Sequence, residues 1–289
     1  MTFTQPTNAV KAVYLNDFDL ILGNISEEST LLAWIKTHKI NQVYMYDLSA
    51  VLGNKDKRNL LAALILKLRL AGITMVSAIR GSARSHVDLT YVASTAYYQN
   101  ERKNPLEKFD NFYLENEFWN YKNDVGNIEL PDSRGAVIFR NWKLYMNQIR
   151  KYCQDNNLRN DTYIGQLEDS IEKTTSSVIA NYLYKNTSRV IVDCYMSDKA
   201  FPKKTERLAK MVSRLSTLGK EAAKLGNTVE VVIGFGLTKE FIDEFYKGHT
   251  FEDAYNLVKQ DIIGAKFEGK NNIVMVGWII YGYREAKSL

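Results

Sequence analysis

Eight short apolar runs, each followed by a longer amphipathic stretch, constrain this 289-residue chain more than any other feature. The runs are Ala12 to Phe18, Gln42 to Leu48, Ile73 to Ile79, Phe109 to Glu117, Thr162 to Glu168, Arg189 to Tyr195, Val229 to Phe235 and Ile273 to Tyr281. Most are rich in Val, Ile, Tyr and Phe, as strands buried in a parallel sheet must be. The stretches between them read as helices. Ser26 and Glu28 carry a capping signature ahead of Leu31, Leu32, Trp34 and Ile35. Asn59 to Leu70 is strongly helical and stops at Gly72, a natural C-terminal glycine. Further helical patterns cover Val137 to Gln154, Glu172 to Tyr184, Thr205 to Leu225 and Lys239 to Ile263, with a less sharply bounded one within Asp88 to Arg102.

Eight strand–helix units, the last followed only by a short tail, predict a (β/α)8 TIM barrel occupying residues 1–289 as a single domain. The competing fold is a doubly wound open sheet. It would place a Gly-rich phosphate loop after its first strand, and Asp17 to Asn24 (DFDLILGN) contains none. Four prolines and no low-complexity segment leave no linker between domains.

Composition narrows the function. Hydrophobic residues at 45% and charged residues at 25% exclude a disordered chain. The 18 Tyr outnumber the 12 Phe, and a ring with a hydrogen-bonding tip suits half-buried surfaces and polar ligands such as sugars. The net charge of +5 is interleaved with acids rather than gathered in a stripe. The densest basic run, with Lys203, Lys204, Arg207, Lys210 and Arg214, has near-helical spacing and reads as a solvated helix face, so no nucleic-acid partner is expected. Cys153 and Cys194 cannot build a disulfide framework, and His38, His86 and His249 are too scattered for a local zinc motif. No metal and no organic cofactor is expected. No stretch approaches the length of a membrane span, and Met1 to Asn8 carries no apolar signal region. The chain thus reads as soluble, cytoplasmic or exported by a route not visible in this sequence.

Chemistry in such a barrel sits at the C-terminal ends of strands. The fourth run, Phe109-Asp110-Asn111-Phe112-Tyr113-Leu114-Glu115-Asn116-Glu117-Phe118-Trp119, carries the densest polar pattern there. Alternation sends Phe112 and Leu114 toward the helices and Tyr113, Glu115 and Glu117 into the barrel. Two acids about 6.6 Å apart by strand rise are costly in a core. Their repulsion and partial burial raise one pKa, as a general acid requires.

This strand resembles the fourth-strand motif of family-18 glycoside hydrolases, the chitinase-like and endo-N-acetylglucosaminidase barrels. In that motif Phe-Asp-Gly and a hydrophobic residue lead into Asp-x-Asp-x-Glu. Phe109, Asp110 and Glu117 match it, while Asn111 replaces Gly, and Tyr113 and Glu115 replace the two Asp. The resemblance implies that Glu117 protonates the glycosidic oxygen and that Glu115 orients the substrate's own N-acetyl group as nucleophile, a substrate-assisted route. Weaker echoes are Ser77 with Gly81, interrupted by Arg80; Tyr195 beside Asp193 as an acetamido contact; and Tyr281 where the family places a Trp under the sugar. Tyr113 is a further candidate substrate contact, and Trp119 the best candidate sugar platform; Trp142 and Trp278 read as packing residues. Asp47, Gln166 and Glu168 are candidate polar lining. The expected ligand is an N-acetylglucosamine-containing glycan. The alternative is a non-catalytic TIM barrel that binds carbohydrate or serves in a protein assembly, since Tyr113 and Glu115 depart from the motif. A purely structural reading would pair Glu115 and Glu117 with Arg80 or another internal base.

Overall fold

The computed structural model describes residues 9–46, 48–82, 89–116, 134–165, 167, 173–193, 204–237 and 239–289. Eight parallel strands close into a barrel in sequence order, with β1 pairing both β2 and β8. They are β1 (Val10–Leu15), β2 (Gln42–Met45), β3 (Met75–Ser82), β4 (Asn111–Asn116), β5 (Arg159–Ile164), β6 (Arg189–Asp193), β7 (Val229–Gly236) and β8 (Ile273–Tyr281). A main helix follows each strand: α1 (Ile25–Thr37), α2 (Lys55–Leu70), α3 (Leu89–Glu101), α4 (Arg134–Asp155), α5 (Lys173–Asn186), α6 (Lys204–Lys224), α7 (Phe251–Gly264) and the short α8 (Tyr283–Ala286), with extra short turns of helix at Phe18–Ile21, Ser49–Leu52 and Lys239–Phe241. Among the described residues, no helix is long and apolar enough to cross a membrane.

Several local readings need correction. The N-cap of α1 is Asn24, whose side chain accepts from the amides of Ser26 and Glu27. Glu28 instead reaches back to the Gly23 amide (2.9 Å) and pairs with Lys67 (2.6 Å), so it ties α1 to α2. The Lys239 to Ile263 pattern is not one helix. A helical start at Lys239–Phe241 widens into a π turn at Ile242–Tyr246, and the chain breaks at Gly248 (φ +78°). A capping box of Thr250 with Asp253 then starts α7. The basic run on α6 is not wholly solvated either. Arg207 and Arg214 are buried, the first paired with Glu244 and the second donating to the Asp193 carbonyl (2.8 Å).

The seam between β8 and β1 depends on a glycine. Gly277 stands in register with both Val10 and Val232, at φ +149°, beside a register shift in β7 between Val231 and Val232. A Cβ there would collide with the Val10 backbone. Any other residue would hold the seam open. Outside the seam α8 is only one turn long. Rings of Trp34, His38, Phe251 and Tyr283 fill the space beside it, with centroids 4.5–6.2 Å apart.

Inside, the lower half of the barrel is polar. Arg189, at the start of β6, donates to Asp161 on β5 through Nε (3.1 Å) and Nη2 (2.6 Å). Tyr44 (2.8 Å) and Asn111 (3.1 Å) donate to the same carboxylate oxygen, and Asn111 also donates to Ser77 (2.9 Å). Gln42 accepts from Arg189 at 3.1 Å. Asp161 and Arg189 are almost wholly buried, at 1% and 3% exposure. Burial alone would favour a neutral Arg189, but the Asp161 carboxylate outweighs it and holds the guanidinium charged. Removing one member of such a pair strands a charge, at a cost of roughly 3–5 kcal/mol. Arg189→Met and Asp161→Leu should each lower unfolding free energy by that order, and the double variant should recover much of the loss. Guanidinium denaturation of the three variants checks this; single variants as stable as the parent would show that the pair does not hold the barrel.

Candidate functional site at the C-terminal mouth

β4 enters the barrel wall with its alternation set by packing. Phe112 meets Tyr91 of α3 and Tyr152 of α4 edge-on, at 6.4 and 5.3 Å, so it faces the helices. Tyr113 therefore faces inward, where its ring meets Tyr14 (6.4 Å) and Tyr44 (5.4 Å) edge-on. Glu115, two residues on, shares that face and is 9% exposed. Its carboxylate accepts a hydrogen bond from the Tyr14 hydroxyl across the barrel. Burial, and then the Glu115 carboxylate, hold the Tyr14 pKa well above its ordinary value, so Tyr14 keeps its proton and donates.

Around this pair the mouth is lined with tyrosine. Tyr281, at the end of β8, packs on Tyr14 with centroids 4.6 Å apart, and Tyr46 lies 5.5 Å from Tyr14 on the other side. Tyr281 is 37% exposed, so part of it reaches solvent at the mouth. Gly236 and Gly234 pair with Tyr281 and Ile279, and therefore share their inward face. Without side chains they leave room at the mouth beside β8. On the opposite wall Tyr163 donates to Asp193 at 3.2 Å, and Asp193 is mostly buried. The mouth thus combines two carboxylates with tyrosine rings and hydroxyls, the donor–acceptor and stacking set that a sugar requires. Among the described residues, no group of His, Cys, Asp and Glu is arranged to hold a metal ion.

Of the residues singled out from sequence, Tyr113, Glu115, Tyr281 and Asp193 lie on this inner surface. Glu117, Tyr195 and Trp119 lie outside the described residues, as do Asp47, Gln166 and Glu168. Arg80 pairs in register with Leu114, so it stands on the outward face rather than opposite Glu115. Its guanidinium lies over the Tyr91 ring of α3 (5.6 Å) and bonds Ser49 (3.2 Å). Asp110 serves the wall instead of the mouth, accepting from the Val76 amide (2.7 Å) and pairing with Arg69. Trp142 and Trp278 are buried in packing positions. Sequence reasoning missed Tyr14, Tyr46 and Tyr163. Tyr14 sits mid-run among apolar neighbours, and nothing local separates it from a core aromatic.

No protein-family model and no curated protein matches the sequence. Solved structures do match in three dimensions. The chain superposes on a GH18 chitinase from Pseudoalteromonas aurantia with TM-score 0.55 and 10% identity, covering 94% of each chain. It superposes on the C-terminal domain of a candidate chitinase from Desulfitobacterium hafniense DCB-2 with TM-score 0.50 and 13% identity, covering 79% of this chain and 67% of that one. The homocysteine methyltransferase MmuM from Escherichia coli is as similar, with TM-score 0.50 and 9% identity over 96% and 92%. These likenesses define the class of protein as a TIM barrel, a fold shared by enzymes of unrelated chemistry.

The Tyr14–Glu115 bond is the local interaction most open to test. Tyr14→Phe leaves a buried carboxylate without that donor and should cost about 1–2 kcal/mol. Urea unfolding measures it; a variant at least as stable as the parent would mean that the bond contributes nothing to the folded barrel.

Proposed function

We propose that the protein is a family-18-like glycoside hydrolase barrel acting on N-acetylglucosamine-containing glycans at its C-terminal mouth. The observation that carries this reading is Glu115 on the inner face of β4, bonded by Tyr14, whose ring packs with Tyr46, Tyr113 and Tyr281. In this reading the exposed part of Tyr281 contacts a pyranose ring, and Glu115 accepts from the acetamido N–H. That hydrogen bond turns the acetamido oxygen toward the anomeric carbon. Glu117, which follows the described end of β4, is assigned as the acid on the motif resemblance. It delivers its proton to the glycosidic oxygen as the acetamido oxygen displaces the leaving sugar. Water then opens the cyclic intermediate, returning the proton to Glu117. Asp193, Tyr195 and Trp119 would complete the substrate contacts.

A second reading is favoured by one feature. Tyr113 stands where the motif carries an acid, and its ring is set edge-on between Tyr14 and Tyr44. A barrel so altered would bind glycan without cleaving it.

Glu117→Gln separates the two. Gln keeps the shape but cannot deliver a proton, so hydrolysis of β-linked N-acetylglucosamine oligomers should fall roughly 10²–10⁴-fold while oligomer binding persists. Glu115→Asp should raise turnover if it restores the shorter motif side chain. Undiminished hydrolysis by Glu117→Gln would remove Glu117 from the mechanism. Binding by the wild type with no hydrolysis selects the binding reading, and no binding at all removes both.

A further inference from the structure

Three strands converge on Asp193 at the mouth. Arg189, Ile191 and Asp193 alternate along one face of β6, and Arg189 identifies that face as the inner one by bonding Asp161 inside the barrel. Asp193 is the last residue of the strand and is 8% exposed, whereas Arg189 at its start belongs to the polar floor. Pairing with β5 stops at Val192, so Asp193 stands one residue beyond that ladder. On the other side its register partner on β7 is Gly234, which has no side chain to steady it.

Two side chains hold this residue, and they hold different parts of it. Arg214 of α6 is buried and donates through Nη1 to the Asp193 carbonyl at 2.8 Å, fixing the main chain where the β5 ladder has ended. Burying a guanidinium is costly, and a Leu or Met would fill the helix face without that cost. Tyr163 of β5 holds the side chain. It follows Asp161 by two residues on the same inner face and is in register with Ile191. Asp193 therefore lies two residues higher on the next strand, about 6.6 Å along it, which is roughly the reach of a tyrosine side chain. The Tyr163 hydroxyl donates to Asp193 Oδ2 at 3.2 Å. A phenylalanine there would keep the packing but leave the carboxylate without this restraint on χ1 and χ2.

A carboxylate has about four lone-pair sites, so accepting from Tyr163 leaves capacity for a ligand. We propose that Tyr163 is a positioning residue for Asp193, holding its carboxylate in the orientation that accepts from a hydroxyl or N–H of the bound glycan. Because Arg214 secures the main chain separately, the Tyr163 hydroxyl acts on the orientation of one carboxylate and not on the course of β6. A carboxylate already held in place loses less rotational freedom when a ligand binds. This role rests on the reading of the mouth as a glycan site.

Calorimetric titration with the sulfur-linked trisaccharide of N-acetylglucosamine, whose linkages resist hydrolysis, tests it in four versions of the full chain: wild type, Tyr163→Phe, Asp193→Ala and the double variant. Tyr163→Phe should weaken binding about three- to tenfold, the effect of one lost hydrogen bond. Asp193→Ala should weaken it at least as much. In the Asp193→Ala background, Tyr163→Phe should change the affinity by less than about twofold, because a residue that acts through Asp193 has nothing left to act on. An equal loss in both backgrounds would make Tyr163 a direct or merely structural contact and overturns the inference, as does unchanged binding by Tyr163→Phe. Asp193→Ala that binds as wild type overturns it while the mouth remains a glycan site. Wild type that does not bind the trisaccharide overturns both.

Discussion

The interior of a closed barrel has little water, so any charge placed there must be neutralised by other strands of the wall. In this protein Asp161 and Arg189 meet that condition, and much of the interior follows from it. Tyr44 and Asn111 turn inward to donate to Asp161, and Ser77 accepts from Asn111 in turn. One carboxylate thereby links β2, β4, β5 and β6, with β3 joined through Ser77. Because Asn111 is fixed at the bottom of β4, alternation fixes Tyr113 in the middle and Glu115 at the top. The polar lower layer sets the register on which the mouth depends.

The barrel was legible because its signal is repeated eight times, and errors in one run leave the count unchanged. Boundaries were less legible. The fifth strand begins at Arg159, not Thr162, so the sequence reading left Asp161 outside it and missed its partnership with Arg189. Nothing in a single sequence says that residues 28 apart share a salt bridge. The helix over Lys239 to Ile263 failed for a different reason. Its apolar spacing continues across Gly248, and only that glycine and the Thr250-x-x-Asp253 box mark the break.

Of the mouth, the β4 residues could be read because a period of two assigns faces without knowledge of neighbours. Tyr14 could not, since its role arises from a carboxylate 101 residues away across the barrel. Arg80 shows the converse. It looked like a counter-ion for Glu115 by position in the sequence, but parallel register pairs it with Leu114 and turns it outward. Similar barrels carry out unrelated reactions, so the case for carbohydrate rests on this lining and on the β4 motif, not on the fold.

The glycine at the closing seam has a kinetic side. β1 and β8 lie at opposite ends of the chain, and Gly277 pairs with Val10 across 267 residues. All other strand pairs join neighbours in sequence, so their loops are shorter and their entropic cost is lower. An open, seven-seamed sheet can therefore assemble progressively, leaving the β1–β8 seam as the step with the greatest loop-closure cost. A residue that merely crowds this seam would act late, speeding the reopening of a nearly finished barrel more than it slows the earlier pairings.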